Sequence, residues 1–367
     1  MRKCLLLCPI FEPYAGGGGQ YFPFLRKAIL PDCEFVSVDV ITEYYPELPI
    51  ISADDNGKIY RVLPRRDSKE NKGIFYNVFS FVLTYLFIIV IIVFLMWKNK
   101  YSDFIFTRYY RKFFYKFLAF IKKKNYVNII CDLRATLIST DKYDGLEISD
   151  FIICNSLAVF DQARSLASLR YKCTLVKNPI NFAVPDESDR NEFLKLCNFH
   201  DISDGYLLFV GQLLERKSIF EVIKAFYYTK QSHPELKLVI IGRNMLGRKV
   251  LDEINRVGAF YLGELDRRLV LWFMAKSGLV LQPSKIEGIP RVTLEALYLK
   301  KKVVMASCVP EFVSSDPSFV AFDLSVVSLS NLIVKSHKRS DKPKYRVHSH
   351  DVKEVIPQYK RLFEDTY

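Results

Sequence analysis

The sequence predicts an α/β protein made of two doubly wound parallel-sheet domains. Three observations carry this. The chain has 367 residues, enough for two domains of about 150 residues each. From Leu207 onward, short apolar runs alternate with amphipathic stretches at the spacing of strand–helix units. A segment rich in proline and acid, Pro179 to Ser188, separates that half from a less regular version of the same alternation.

In order, Cys4–Ile10 reads as a buried strand that runs into Gly16-Gly17-Gly18-Gly19 and a helix over Tyr21–Leu30. Met1-Arg2-Lys3 before it imitates a signal peptide, but the apolar run is short, Pro9 and Pro13 interrupt it, and no small-residue cleavage site follows. Phe35–Val40 is a second strand. Residues 50–73 are polar and basic, with a turn signal at Asp54-Asp55-Asn56-Gly57. Strands at Phe104–Thr107, Val127–Cys131, Phe151–Cys154 and Thr174–Val176 follow, with helical periodicity over Arg108–Lys124. In the second half, strands are predicted at Leu207–Val210, Lys237–Ile241, Phe260–Leu262, Leu279–Gln282 and Val303–Ala306. Helices are predicted at Ser218–Lys230, Leu246–Val257, Arg267–Lys276 and Pro290–Leu299. The domains are accordingly 1–182, which contains the apolar segment 74–97, and 183–340. A tail, 341–367, is expected to return toward the amino-terminal domain. Two such sheets would face a cleft at the carboxyl ends of their strands, where open α/β folds bind ligands.

Composition narrows the function. Half the residues are hydrophobic and a quarter charged, which excludes disordered and collagen-like chains. The net charge of +13 suits an anionic partner: nucleic acid, a membrane surface or a phosphorylated substrate. Eight cysteines without a CxxC read as reduced packing residues of a cytosolic compartment. No Asp-x-Asp occurs, and no metal site is expected. His348-Ser349-His350-Asp351 reads as a solvated loop rather than a metal site.

The strongest local signal is Pro283-Ser284-Lys285-Ile286-Glu287-Gly288-Ile289-Pro290-Arg291-Val292-Thr293-Leu294-Glu295-Ala296. It follows a buried strand and opens a helix. Pro290 fits the first helical position, so the N–H groups of Arg291 and Val292 would form an anion site reinforced by the Arg291 charge. Glu287 and Glu295 fall near the same helix end. Two carboxylates there could accept hydrogen bonds from a vicinal diol such as ribose, or could simply be acidic residues of an ordinary helix.

This stretch resembles the glycosyltransferases of the GT-B fold, family 4, in its Pro-Ser, its Glu-Gly and its second Glu eight positions after the first. The Gly-Ile-Pro-Arg variant, with Pro290 where the family usually has glycine, is similar to the subset that builds lipid-linked bacterial surface glycans. Upstream, Phe209-Val210-Gly211-Gln212-Leu213-Leu214-Glu215-Arg216-Lys217 resembles the family's phosphate-binding loop. Gln212 stands in place of the usual arginine, and Arg216 could substitute. Gly242, Glu311, Gly16–Gly19 and Asn178-Pro179-Ile180 match further family positions. The resemblance implies two Rossmann-like domains and a metal-independent retaining hexosyl- or N-acetylhexosaminyltransferase with no cofactor. It implies a UDP- or GDP-linked sugar donor whose diphosphate assists the acceptor hydroxyl. Lys217, Glu287 and Arg216 would be catalytic. Gly18, Gly19, Gly211, Gly242, Gly288, Arg291 and Glu295 would bind the donor. Asp132 and Arg134, at the end of a first-half strand, are either an acceptor contact or a structural pair. The acceptor implied is a glycan on a polyprenyl diphosphate, in O-antigen, capsule or lipopolysaccharide synthesis.

Ile74–Trp97 is twenty-four residues without a charge, about 36 Å as one helix. Spanning a bilayer would separate the first strands from the rest of their sheet, and basic residues flank the segment on both sides. An interfacial helix, or one packed on the sheet with one face in lipid, is expected. From Lys98 to Lys124 there are nine basic residues and one acid. Arg108, Arg111, Lys112 and Lys116 are assigned to a basic face against an anionic membrane. The expected location is the cytoplasm, peripheral at the inner face of the cell membrane. No nucleic-acid motif accompanies the charge. Two alternatives remain at this stage: a non-catalytic sugar-nucleotide-binding or scaffolding protein, and a basic nucleic-acid-binding protein.

Overall fold

The computed structural model describes residues 2–12, 17–63, 74–107, 112–125, 127–133 and 145–364. For 17–20, 74–85, 112–113 and 125 it describes the backbone alone. The chain divides into two compact units. One holds Met1–Asn155, Val159–Lys177 and Val355–Tyr367; the other holds Ser156–Ala158 and Asn178–Glu354.

The first unit is built on eight strands: β1 (Arg2–Leu7), β2 (Phe35–Glu43), β3 (Ile51–Asp54), β4 (Gly57–Leu63), β5 (Asp103–Phe106), β6 (Asn128–Leu133), β7 (Phe151–Cys154) and β8 (Cys173–Leu175). Their order is β3-β4-β2-β1-β5-β6-β7-β8. All pairs are parallel except the β3–β4 hairpin, which turns at the predicted Asp54–Gly57 signal. The hairpin itself was not predicted. β3 is an edge strand, largely exposed, and carries no apolar alternation to mark it. Helix α1 (Gly17–Phe24) continues through a π-turn (Leu25–Ile29) into α2 (Leu30–Asp32). Three of the four glycines thus form a helical turn rather than a loop.

Helix α3 (Ile74–Lys98) turns Ile88, Ile92, Leu95 and Met96 into the core with Leu5 and Phe104. Its opposite side leaves Leu86, Phe87, Val90, Val93, Phe94 and Trp97 exposed. Among the described residues no helix is long and apolar enough to cross a membrane. Helix α4 (Lys112–Asn125) lies in contact with α3 and buries Phe114, Leu118 and Ile121. Helix α5 (Leu157–Arg164) follows β7.

In the second unit six parallel strands stand in the order β11-β10-β9-β12-β13-β14. They are β9 (Leu207–Val210), β10 (Leu238–Ile241), β11 (Phe260–Tyr261), β12 (Leu279–Leu281), β13 (Val303–Ala306) and β14 (Val320–Ala321). The helices are α6 (Arg190–Phe199), α7 (Ile219–Ser232), α8 (Arg248–Val257), α9 (Arg267–Lys276), α10 (Arg291–Tyr298), α11 (Pro310–Ser315) and α12 (Val326–Lys338). Both faces of the sheet are covered, one by a core around Phe273 and Leu294 and the other by a core around Phe226 and Ile254. Near-continuous apolar strands are what two covered faces require. The last helix, α13 (Val352–Glu364), sends Val355, Tyr359 and Phe363 into the core of the first unit.

Two local readings are corrected. Pro290 is the N-cap of α10, extended at φ −73° and ψ 119°, and Arg291 is the first helical residue. His350 is fully buried rather than solvated. Its Nδ1 lies 3.0 Å from the Asn178 carbonyl oxygen and its Nε2 2.7 Å from the Tyr345 hydroxyl.

Candidate active site

In the second unit the chain leaves β9 for β10 on one side and later enters β12 on the other. The sheet's topological switch point therefore lies between the carboxyl ends of β9 and β12, the position where open parallel sheets bind ligands. Gln282 closes the two ends together, its amide donating to the Val210 carbonyl at 2.8 Å.

The loop after β9 begins at Gly211, which has φ +146°. Beside it stands Gly242 at φ +143°, where a Cβ would sit 2.0 Å from the Gly211 oxygen. Glycine is required at Gly242 on both counts. Its N–H is taken by the Gly263 carbonyl at 2.7 Å, so its task in the structure is close approach of two backbones. The loop then makes a short 3-10 turn over Glu215–Lys217 and enters α7 through Ser218 at φ +57°. That is a left-handed backbone on a non-glycine residue. The Ser218 hydroxyl is buried with no hydrogen-bond partner among the described residues.

The loop after β12 is tied to this one by the Lys285 N–H, which donates to the Arg216 carbonyl at 2.8 Å. Lys217 forms an ion pair with Glu287 through Nζ and Oε1. Arg216 Nη1 reaches the same oxygen at 3.5 Å. The three residues assigned to catalysis thus meet. Lys217 and Glu287 are mostly buried, while Arg216 is exposed. Gly288 follows in the same loop, ahead of the buried Ile289.

At the start of α10, the N–H groups of Arg291, Val292 and Thr293 precede the first intrahelical bond, Leu294 to Pro290. Ser284 and Thr293 have buried hydroxyls without partners among the described residues. Glu295 Oε1 accepts from Arg291 Nε at 3.0 Å and from Arg267 Nε at 3.0 Å. No described residue hydrogen-bonds its other oxygen, Oε2. Burial pulls the Arg291 guanidinium below its ordinary value, and the Glu295 charge pushes back.

The remaining predicted residues lie elsewhere. Gly18 and Gly19 are in the first turn of α1, in the other unit. Asp132 is fully buried on β6 and accepts from the Tyr21 hydroxyl at 3.0 Å. Arg134, Arg108 and Arg111 lie outside the described residues. Lys112 opens α4, and Lys116 is exposed on it. Among the described residues, no group of three or more His, Cys, Asp or Glu is placed to hold a metal. Sequence reasoning missed Arg267. It sits 28 residues from its carboxylate partner, at the start of a helix with no motif around it.

A comparison with known protein families falls on the same residues. Residues 198–314 match the family described as Glycosyl transferases group 1, a span that holds every loop just described. An uncharacterized glycosyltransferase of Methanocaldococcus jannaschii is 28% identical over 102 residues, which cover 27% of this chain and 25% of that protein. The match thus spans about a quarter of that relative's length.

Solved structures agree over the whole chain. Sucrose-phosphate synthase from Thermosynechococcus elongatus superposes with a TM-score of 0.75 at 15% identity, over 100% of this chain and 99% of that one. An α,α-trehalose-phosphate synthase (UDP-forming) from Burkholderia xenovorans, in complex with glucose-6-phosphate, gives 0.72 at 10% identity, over 100% and 98%. HepE of Anabaena, in complex with UDP, gives 0.67 at 15%, over 100% and 99%. The architecture is that of the GT-B glycosyltransferases: two units, each a parallel sheet wound with helices.

Proposed function

We propose that the protein is a retaining glycosyltransferase that binds a UDP- or GDP-linked sugar at the switch point of the second unit and transfers the sugar to a glycan acceptor. The observation that carries this reading is the meeting of Lys217, Arg216 and Glu287 beside the open start of α10. The group 1 match covers these positions, and HepE and the trehalose-phosphate synthase, which share the fold, are described with UDP or as UDP-forming.

The donor's diphosphate gains negative charge as its bond to the sugar's C1 lengthens. Lys217, Arg216 and the first amides of α10 are preorganised donors for that charge. Glu287 holds the two cations in the unliganded site and contacts the sugar in the complex. The acceptor oxygen bonds to C1 on the face the diphosphate leaves, and its proton passes to the departing phosphate oxygen. Configuration is retained with no protein nucleophile and no metal. Glu295 Oε2 accepts the ribose hydroxyls. The test is hydrolysis of a panel of UDP- and GDP-sugars in EDTA. Slow release of one sugar is expected. Tight binding with no turnover of any would instead make the protein a sugar-nucleotide-binding scaffold, and loss of turnover in EDTA restored by manganese would overturn the metal-free mechanism.

The acceptor in this proposal is a hexose- or N-acetylhexosamine-accepting glycan on a polyprenyl diphosphate, in the synthesis of a bacterial surface polysaccharide. The first unit takes it at the cytoplasmic face of the membrane. Support comes from α3, whose exposed Leu86, Phe87, Val90, Val93, Phe94 and Trp97 recur at helical spacing along one side. Cations stand at its rim: Lys98 Nζ is 5.8 Å from the Phe94 ring centre. The adjoining α4 exposes Lys116, Phe120, Lys123 and Lys124. Apolar side chains with a basic fringe fit an anionic bilayer surface. Trp97 is 83% exposed, whereas the other tryptophan, Trp272, is buried. Anionic vesicles should therefore shift Trp97 fluorescence to the blue, and high salt should reverse this only in part. No shift at low salt would remove the membrane from the proposal and favour a soluble acceptor.

A further inference from the structure

We infer that Arg267 is a positioning residue for donor recognition: it fixes the Glu295 carboxylate so that Oε1 is occupied by protein and Oε2 is left for the ribose diol. This rests on the donor-site reading above.

Glu295 is almost fully buried, and a buried carboxylate without cationic partners is costly. Arg291 supplies one partner from the preceding turn of the same helix, at i and i+4. A single donor to one oxygen leaves the carboxylate free to turn about its last torsion, which is broad and roughly two-fold. Arg267 approaches from another element, the first turn of α9. Its Nε donates to Oε1 at 3.0 Å. Its Nη2 donates at 3.0 Å to the carbonyl of Asn181, in the segment that leads into the second unit. The planar guanidinium is thus anchored by the Asn181 carbonyl and grips Oε1 through its Nε edge, with Nη2 also 3.0 Å from that oxygen. A lysine could keep the charge but not this fork.

The neighbouring arginine shows that the arrangement is particular to Arg267. Arg268 is committed to Asp189 at 2.5 Å and to Asp266 at 3.2 Å. Asp266 also caps α9 by accepting from the Arg268 N–H at 2.9 Å. One arginine secures the helix; the next reaches the carboxylate.

The experiment is calorimetric binding of UDP and GDP to the full chain, followed by the 2′-deoxy and 2′,3′-dideoxy forms of whichever binds. Wild type should prefer the ribo form by about tenfold to a hundredfold, as charge-assisted hydrogen bonds to the diol require. Arg267→Ala should bring that preference within about threefold, with little change in affinity for the dideoxy form. It should raise KM for the sugar donor while leaving kcat of donor hydrolysis within about threefold. Arg268→Ala should keep the wild-type preference. If circular dichroism shows that Arg267→Ala does not fold, Arg267→Lys carries the test and should still lose most of the preference. A wild type without ribo preference would overturn the ribose role of Glu295 itself. A wild type with the preference and an Arg267 variant that retains it in full would overturn the positioning role alone.

Discussion

The two units share a parallel-sheet plan and differ in what they place near the ends of their strands. In the second unit, charge meets charge: Lys217 and Arg216 on Glu287, Arg267 and Arg291 on Glu295. In the first, a buried charge meets hydroxyls. Asp132 accepts from Tyr21, whose oxygen lies 2.6 Å from that of Tyr359 on α13. That arrangement joins strand, first helix and last helix within one unit. In the second unit four cationic side chains meet two carboxylates, and Ser218, Ser284 and Thr293 keep buried hydroxyls without partners among the described residues. The first pattern is suited to holding a fold, the second to binding an anion.

The comparison predicts which substitutions change chemistry and which change stability. The largest effect should come from Lys217→Ala. Removing one preorganised donor to developing charge typically costs about a hundredfold to a thousandfold in kcat, and here the donor KM should move far less. Unchanged turnover in this variant would break the assignment of the second unit. Glu295→Ala should follow, with donor binding weakened by roughly 1.5–3 kcal/mol, measured by calorimetry. Melting temperature should also fall in the first case, because the mostly buried Glu287 loses its ion-pair partner, so turnover is compared on folded protein.

How far the sequence shows all this depends on the unit. β9, α9 and β13 occupy the ranges that periodicity predicts, since strands covered on both faces are unbroken apolar runs between glycines and prolines. In the first unit, β3 and β4 were invisible among polar and basic residues; only their turn was legible. The loop residues proposed for catalysis could be named because resemblance marks their positions, and the structure does bring Lys217, Arg216 and Glu287 together. Arg267 could not be named, because nothing local in sequence records that a helix start will meet a carboxylate 28 residues away. His350 was misread for a related reason. A polar string looks solvated until Tyr345 and the Asn178 carbonyl are found on either side of the ring.

Smaller effects belong to the first unit and should be the converse of those above. Tyr359→Phe removes one buried hydroxyl from the Tyr21–Asp132 group, at a cost of about 1 kcal/mol. For a unit of this size that is roughly 2–4 °C in melting temperature. Asp132→Asn should cost somewhat more, because the hydrogen bond it weakens is to a charged group. Neither should alter nucleotide affinity. A donor-binding defect as large as that of Glu295→Ala, without loss of stability, would show that Asp132 acts on ligand and would erase the contrast between the units.

The mildest test uses the thiols, two of which are half-buried, one in each unit: Cys173 and Cys308. They sit in opposite electrostatic settings. The Cys173 thiol is held below its ordinary range, first by a hydrogen bond from Cys154 and then by the Arg164 charge, against the effect of burial. Cys154 lies diagonally across the β7–β8 register, since Cys173 pairs with Ile152 and Cys154 with Leu175. Cys308 is pushed up by burial and then by the Glu287 carboxylate. The thiolate is the reacting species, so the lower pKa gives the faster reaction near neutrality. Iodoacetamide at pH 7.5, followed by peptide mass spectrometry, should label Cys173 first and Cys308 slowly. Cys154→Ala removes the stabilising donor and should slow Cys173 by a few fold, moving the midpoint of its rate–pH profile upward. Faster labelling of Cys308 would mean that Lys217 and Arg216 cancel the Glu287 charge at the β12 loop, so that only burial acts on the thiol.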